Sequence, residues 1–200
     1  PRYIPVTLLL LAGACSREPS PTAPAPVLSS TPLRDRAAVS GTRFQRIEAS
    51  VSGLSFTNEL KPQNVVPYVY SGGGVTVGDY DQDGLPDLYL VSLDGPNKLF
   101  RQVAPMRFVD VTQSAGGLDG GDAWGTGAAF VDIDGDGDLD LYVCNLESPN
   151  LLYQNQGNGT FVERGAPFGL ALTAASTGCA FADYDNDGDL DLYLLTNRVF

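Results

Sequence analysis

No histidine occurs in the 200 residues, and methionine and tryptophan occur once each. Without imidazole, neither a Ser-His-Asp nor a Cys-His centre can be assembled from these residues. A histidine-ligated zinc or iron site is excluded on the same ground. Basic residues are scarce: 12 Lys and Arg stand against 24 Asp and Glu, for a formal net charge of −12. Nucleic acid is therefore not an expected partner, because no basic patch is present to neutralise phosphates. Long apolar runs are also lacking, and the one near the N-terminus is too short to span a bilayer as a mature helix. What remains is 43% hydrophobic, enough for a folded core.

The acidity has a local cause. Asp132-Ile-Asp-Gly-Asp-Gly-Asp-Leu-Asp140 places carboxylates at loop positions 1, 3, 5 and 9 (Asp132, Asp134, Asp136, Asp140) and Gly137 at position 6. Four acids this close repel one another unless a hard divalent cation joins them. Ca²⁺ takes 6–8 oxygen ligands, and alternate side chains of a tight loop can converge on it. Position 7, Asp138, would contribute its backbone carbonyl. The loop occurs twice more, as Asp79, Asp81, Asp83, Gly84, Asp87 with Leu85 at position 7, and as Asp183, Asp185, Asp187, Gly188, Asp191 with Asp189 at position 7. Fourteen of the 24 acids lie in these loops, and three bound Ca²⁺ ions would take the net charge from −12 to −6. The alternative for a single acidic, Gly-rich loop is a solvated turn. Three copies in register, each followed by an apolar strand (Leu88–Val91, Leu141–Val143, Leu192–Leu195), argue for metal. An EF-hand needs Glu at position 12 and flanking helices, whereas position 12 is Leu90, Val143 and Leu194.

The loops begin at residues 79, 132 and 183, a period of about 50 that signals a propeller or repeat array. Strands are expected at Gly125–Val131, Leu141–Asn145, Asn150–Gln154 and Thr160–Arg164. Asn158-Gly159 supplies a two-residue hairpin signal between the last two. Four short antiparallel strands per repeat make a propeller blade, so the fold class is all-β. Phe108…Val111…Gly117-Leu118 recurs as Phe161…Gly169-Leu170 and as Phe44…Ile47…Gly53-Leu54. Residues 43–48 are thus expected to form an outer blade strand that closes a ring. Asn197-Arg198-Val199-Phe200 parallels Asn97-Lys98-Leu99-Phe100, so the chain reads as two blades, part of a third and the closing strand.

Residues 1–15 carry Arg2, a short apolar run and small residues ending at Cys15, the layout of a secretory signal. Leu-Ala-Gly-Ala-Cys resembles a bacterial lipobox, which would make Cys15 a lipidation site; plain signal-peptidase cleavage is the alternative. Residues 16–32 are Pro/Ser-rich and read as an extended tether, leaving 33–200 for the repeats. Export and attachment to a bacterial cell envelope are expected, as an outer-membrane lipoprotein or a periplasmic or extracellular protein. Cys144 and Cys179 fall where the repeat wants small or apolar core residues, so buried thiols are expected rather than a disulfide.

Gly78-Asp-Tyr-Asp-Gln-Asp-Gly-Leu-Pro-Asp-Leu-Tyr-Leu90 and Ala182-Asp-Tyr-Asp-Asn-Asp-Gly-Asp-Leu-Asp-Leu-Tyr-Leu194 resemble FG-GAP/VCBS repeats, the calcium-loop blades of integrin α-subunit propellers. The Asn-x-Leu-Phe/Tyr and Phe-x-x-Val-Thr…Gly-Leu elements resemble the ASPIC/UnbV and cartilage-acidic-protein-like group. The resemblance implies a calcium-stabilised β-propeller, usually seven-bladed, exported, used for binding, and without known catalytic residues.

The function expected is a non-catalytic, monomeric module that binds a protein or carbohydrate ligand, with about one structural Ca²⁺ per acidic loop. Ligand contacts are expected from Ser92–Asn97, Ser114–Trp124, Asn145–Asn150 and Ala171–Thr177. Trp124 either packs between blades or stacks on a sugar. The alternatives are a propeller belonging to a polysaccharide-processing enzyme and a purely structural surface protein. The enzyme reading would draw on Asp94, Asp119, Asp122 and Glu147, which show no pairing in sequence.

Overall fold

The segments after the first and third acidic loops alternate along their length, and alternation buries one face of a strand, whereas residues 140–145 after the second are buried throughout. In Asp87-Leu-Tyr-Leu90, Asp87 and Tyr89 are buried while Leu88 and Leu90 are half-buried. The computed structural model describes residues 45–58, 60 and 73–197. Expectations for residues 1–44, including the signal, Cys15 and the tether, lie outside them.

The first blade is a four-stranded antiparallel sheet of β1 (Val75–Gly78), β2 (Asp87–Leu90), β3 (Lys98–Ala104) and β4 (Arg107–Asp110), in that order. The second repeats it with β5 (Trp124–Val131), β6 (Asp140–Pro149), β7 (Leu151–Asn155) and β8 (Phe161–Glu163). β9 (Thr173–Ala182) and β10 (Asp191–Thr196) form the next hairpin, with Asp191 opposite Ala182. The far end of β6 also pairs with the start of β9, Leu146 opposite Ala175 and Pro149 opposite Thr173. Backbone ladders thus join the second blade to the hairpin that follows it.

The core lies between the sheets. Tyr80, Tyr89, Val91 and Leu99 of the first unit pack with Leu141, Val143, Tyr153 and Phe161 of the second. The Tyr80 and Phe161 rings lie 5.4 Å apart. A second cluster sets Tyr142, Cys144 and Leu152 against Cys179, Phe181 and Leu192, with the Tyr142 and Phe181 rings edge to face at 5.6 Å. Burying one such side chain contributes about 1.5–3 kcal/mol, so neighbouring units stabilise one another. Cys144 is buried and Cys179 half-buried, both as free thiols. Their mutual hydrogen bond and burial push the Cys144 thiol well above its usual range.

Three local expectations change. Residues 45–48, the described part of the expected closing strand, form no strand; a single helical turn, α1 (Ala49–Ser52), follows and ends on Gly53 at φ 79°. An outer strand is held by its neighbour's ladder, and no described strand pairs with 45–48. Asn145–Asn150 and most of Ala171–Thr177 are not loops, since β6 runs on to Pro149 to meet β9, which begins at Thr173. The β7–β8 turn is longer than two residues: Asn155 pairs with Phe161, and the Gln156 N–H donates to the Thr160 carbonyl. Its left-handed residues are Gly157 and Gly159, while Asn158 accepts from Thr160 N–H and Oγ1.

Candidate metal centres

Each acidic loop is the turn between the first and second strands of its unit, and all three share one backbone design. The position-1 carboxylate accepts the N–H groups of positions 5 and 6: Asp79 from Asp83 and Gly84, Asp132 from Asp136 and Gly137, Asp183 from Asp187 and Gly188. The position-5 carboxylate accepts the N–H of position 7, from Leu85, Asp138 and Asp189, each at 2.9 Å. The position-6 glycines lie at φ 87°, 94° and 100°, a region that costs a side-chain-bearing residue about 1–2 kcal/mol. Position 4 is also left-handed, in Gln82, Gly135 and Asn186, a constraint the acidic spacing alone does not reveal.

This backbone gathers oxygen atoms. Asp79, Asp81 and Asp87 bring one carboxylate oxygen each to within 4.8 Å of one another; so do Asp132, Asp134 and Asp136, and Asp183, Asp185 and Asp191. Asp83, Asp140 and Asp187 stand outside these triplets. The position-9 acids are held differently from the others. Asp87 is buried, accepting from Tyr80 N–H at 3.2 Å and Gln102 N–H at 2.7 Å. Asp140 accepts from Ile133 N–H at 3.0 Å and Asn155 N–H at 2.7 Å. Burial pushes both carboxyls up to about 6, against the opposing pull of those hydrogen bonds. Asp191 accepts from Tyr184 N–H at 2.8 Å.

Residues outside the loops complete the picture, and their role was not apparent from the acidic pattern. Arg101 on β3 sets Nε 2.6 Å from Asp81 Oδ2 and a terminal nitrogen 3.1 Å from Asp83 Oδ2. The Nε contact is an ion pair by proximity, without the alignment of a hydrogen bond. The hydrogen bond to Asp83, with the Asp81 charge second, raises the Arg101 pKa further. Gln154 on β7 donates to Asp134 Oδ2 at 2.6 Å. Gln82 in the first loop donates to the Gly137 carbonyl and to Asp138 Oδ1 in the second, at 3.0 and 2.7 Å. A cavity of about 440 Å³ between the two loops is lined by Tyr80, Gln82, Arg101, Asp138 and Asn158 among others.

The side chains flanking the loops act in packing. Tyr89 and Tyr142 are fully buried, whereas the equivalent Tyr193 is 71% exposed. Asn97 accepts the Ser92 N–H and Asn150 the Asn145 N–H, both at 2.8 Å, which explains the recurring asparagine. Trp124 is half-buried opposite Leu146, its indole N–H without an acceptor among the described residues. Asp119 is committed to Gln113 and the Gly121 N–H.

Four-stranded antiparallel units, each carrying an acidic loop on its first turn and packed face to face, define a repeat of the β-propeller-blade type. The chain belongs to the FG-GAP-like repeat family, whose profile matches it over residues 79–143 and again over 132–194. It is also similar to cartilage acidic protein 1 of Mus musculus, 32% identical over 144 residues that cover 70% of this chain and 22% of that protein. The Homo sapiens protein is 31% identical over 128 residues, covering 62% and 19%. The chain spans about a fifth of the length of these curated relatives.

Proposed function

We propose that this chain is part of a calcium-stabilised, non-catalytic β-propeller that binds a protein or carbohydrate partner outside the cytoplasm. The observation that carries the reading is the threefold recurrence of a carboxylate triplet within 4.8 Å on the same turn of successive units. The donor set fits the ion: the side-chain donors are all oxygens, as a hard cation requires, and in the first loop a guanidinium already lies against Asp81 and Asp83. Asp79, Asp81, Asp83 and Asp87 would hold one Ca²⁺ with the Leu85 carbonyl. Asp132, Asp134, Asp136 and Asp140 with Asp138, and Asp183, Asp185, Asp187 and Asp191 with Asp189, would hold two more. The ion would supply positive charge that offsets the carboxylate repulsion and fixes the turn, coupling metal binding to folding.

Ring closure belongs to this proposal. Tyr193 and Leu195 expose on β10 the face that Tyr89 and Tyr142 bury in the preceding units, and another blade of the same kind fits there. Export, a lipid anchor at Cys15 and membership of the ASPIC/UnbV group rest on the sequence alone. Ligand recognition is assigned to the remaining connections, 92–97, 114–124 and 171–172, rather than to 145–149, which is strand.

The test is a calcium titration with circular dichroism in calcium and in chelator. Three sites and a strand-type spectrum that melts earlier in chelator support the reading. An absence of calcium binding, or a gain of helix on adding the ion, overturns it.

A further inference from the structure

The first two loops share a backbone but differ in what approaches them from the third strand of the blade. Arg101 and Gln154 occupy equivalent places, each four residues after the asparagine that caps the preceding turn (Asn97, Asn150). Both reach the position-3 carboxylate at 2.6 Å, Arg101 through Nε to Asp81 and Gln154 through its amide to Asp134. Two differences follow from the side chain. Arg101 carries a full positive charge, which Gln154 lacks. Its fork also extends to position 5, holding Asp83 Oδ2 at 3.1 Å. Asp83 stands outside the oxygen triplet of its loop, whereas its counterpart Asp136 belongs to the triplet of the second.

We infer that Arg101 is a tethered cation that competes with a divalent ion for the first loop, so that the second loop, served by neutral Gln154, fills at lower calcium. The inference rests on the reading of these loops as calcium sites. A divalent ion in the first loop must either share Asp81 and Asp83 with the guanidinium or displace it, and like charges a few ångströms apart repel even in water. No such repulsion operates at Gln154, whose amide leaves the charge of Asp134 to the ion. Graded occupancy within one propeller is the consequence. The first loop empties before the second when calcium falls, with Arg101 taking over part of the charge compensation there.

The experiment titrates the 200-residue chain with Ca²⁺ against bound Tb³⁺, whose luminescence is sensitised by a nearby tyrosine. Tyr80 sits at position 2 of the first loop, Ile133 at position 2 of the second and Tyr184 at position 2 of the third. Tyr80 also lines the cavity beside the second loop, so a Tyr184→Phe, Asp134→Ala background reports the first loop, a Tyr184→Phe, Asp81→Ala background reports the second, and calorimetry reports all sites. Arg101→Gln is expected to lower the calcium concentration that half-fills the first loop by about tenfold, and Gln154→Arg to raise that of the second by a similar factor. Arg101→Lys, which keeps the charge, is expected to keep the first loop weak. An unchanged or weakened first loop in Arg101→Gln, with calcium still bound by the wild type, overturns the inference and leaves the calcium reading intact. Failure of every loop to bind calcium in the wild type overturns that reading, and the inference with it. Should Arg101→Gln not fold, Gln154→Arg decides: no loss of affinity at the second loop sinks the competition argument.

Discussion

The phenol of Tyr89 donates a 2.8 Å hydrogen bond to the carbonyl of Leu118, past the end of its own blade. Tyr142 repeats it on Leu170 at 3.0 Å. Each bond fastens the middle of a blade to the connection that leaves it, and burial holds both phenols above their usual range, Tyr142 at about 12.

Removing such a hydroxyl leaves a carbonyl without its donor, at a cost of about 1–3 kcal/mol. Tyr89→Phe and Tyr142→Phe are expected to lose that much in urea unfolding of the 200-residue chain. Tyr193→Phe, at 71% exposure, is expected to stay within about 0.5 kcal/mol of the wild type. Equal losses at all three positions would contradict the distinction.

Asp134 is expected to matter only when calcium is present. Asp134→Ala removes one oxygen ligand and should lower Tm by roughly 5 °C in calcium, by weakening a ligand that stabilises the folded state. In excess chelator the variant should melt no lower than the wild type, because a mutually repelling carboxylate has gone. An equal loss in both conditions would mean that Asp134 acts without metal.

Two glycines separate backbone strain from collision. Gly116 lies at φ 121°, and a Cβ there would come within 2.5 Å of the Phe161 carbonyl oxygen on the next blade. Gly137 lies at φ 94° with open space around it. Gly137→Ala is expected to cost about 1–2 kcal/mol from the left-handed backbone alone. Gly116→Ala should cost more, since the Phe161 N–H to Ala115 carbonyl bond (2.8 Å) must also give way. Thermal melts in chelator decide; a smaller loss at Gly116 would refute the close approach.

The buried position-9 acids set a pH response. Asp87 and Asp140 titrate at about 6, above the ordinary carboxyl value of 3.8. The folded state therefore binds protons more tightly than the unfolded chain does, and its relative stability falls as pH rises through about 6. In chelator the protein is expected to gain stability from pH 7 to pH 5, read as a rising urea midpoint. Calcium should remove or reverse the trend, because it favours the ionised forms. A midpoint that falls steadily from pH 7 to 5 in chelator would count against the burial of these carboxyls.

The parts of the fold set by local chemistry were legible in the sequence. Loop spacing, the position-6 glycines and the apolar run after each loop were enough to place β2, β10 and the start of β6 directly after the acidic turns. What escaped was set by neighbours. The extension of β6 to Pro149 depends on β9 as a pairing partner, which no window around Asn145 contains. The contacts of Arg101 with Asp83 and of Gln154 with Asp134 span 18 and 20 residues, and only the alignment of one repeat on another makes their equivalence visible. At residues 45–48 the outer-strand pattern is present without a described ladder partner, and the recurring feature there is the turn that follows. Gly53 ends that turn against the Phe108 carbonyl, as Gly116 meets that of Phe161.

The Asn155 amide donates to the Tyr80 carbonyl at 2.9 Å across 75 residues, and Gln82 bonds to the second loop. The first acidic loop is therefore finished by residues made long after it. On a ribosome adding about 5–20 residues each second, its last supports emerge several seconds after its own aspartates. Until then the loop keeps only the contacts of its own blade, among them the Arg101 guanidinium against Asp81 and Asp83.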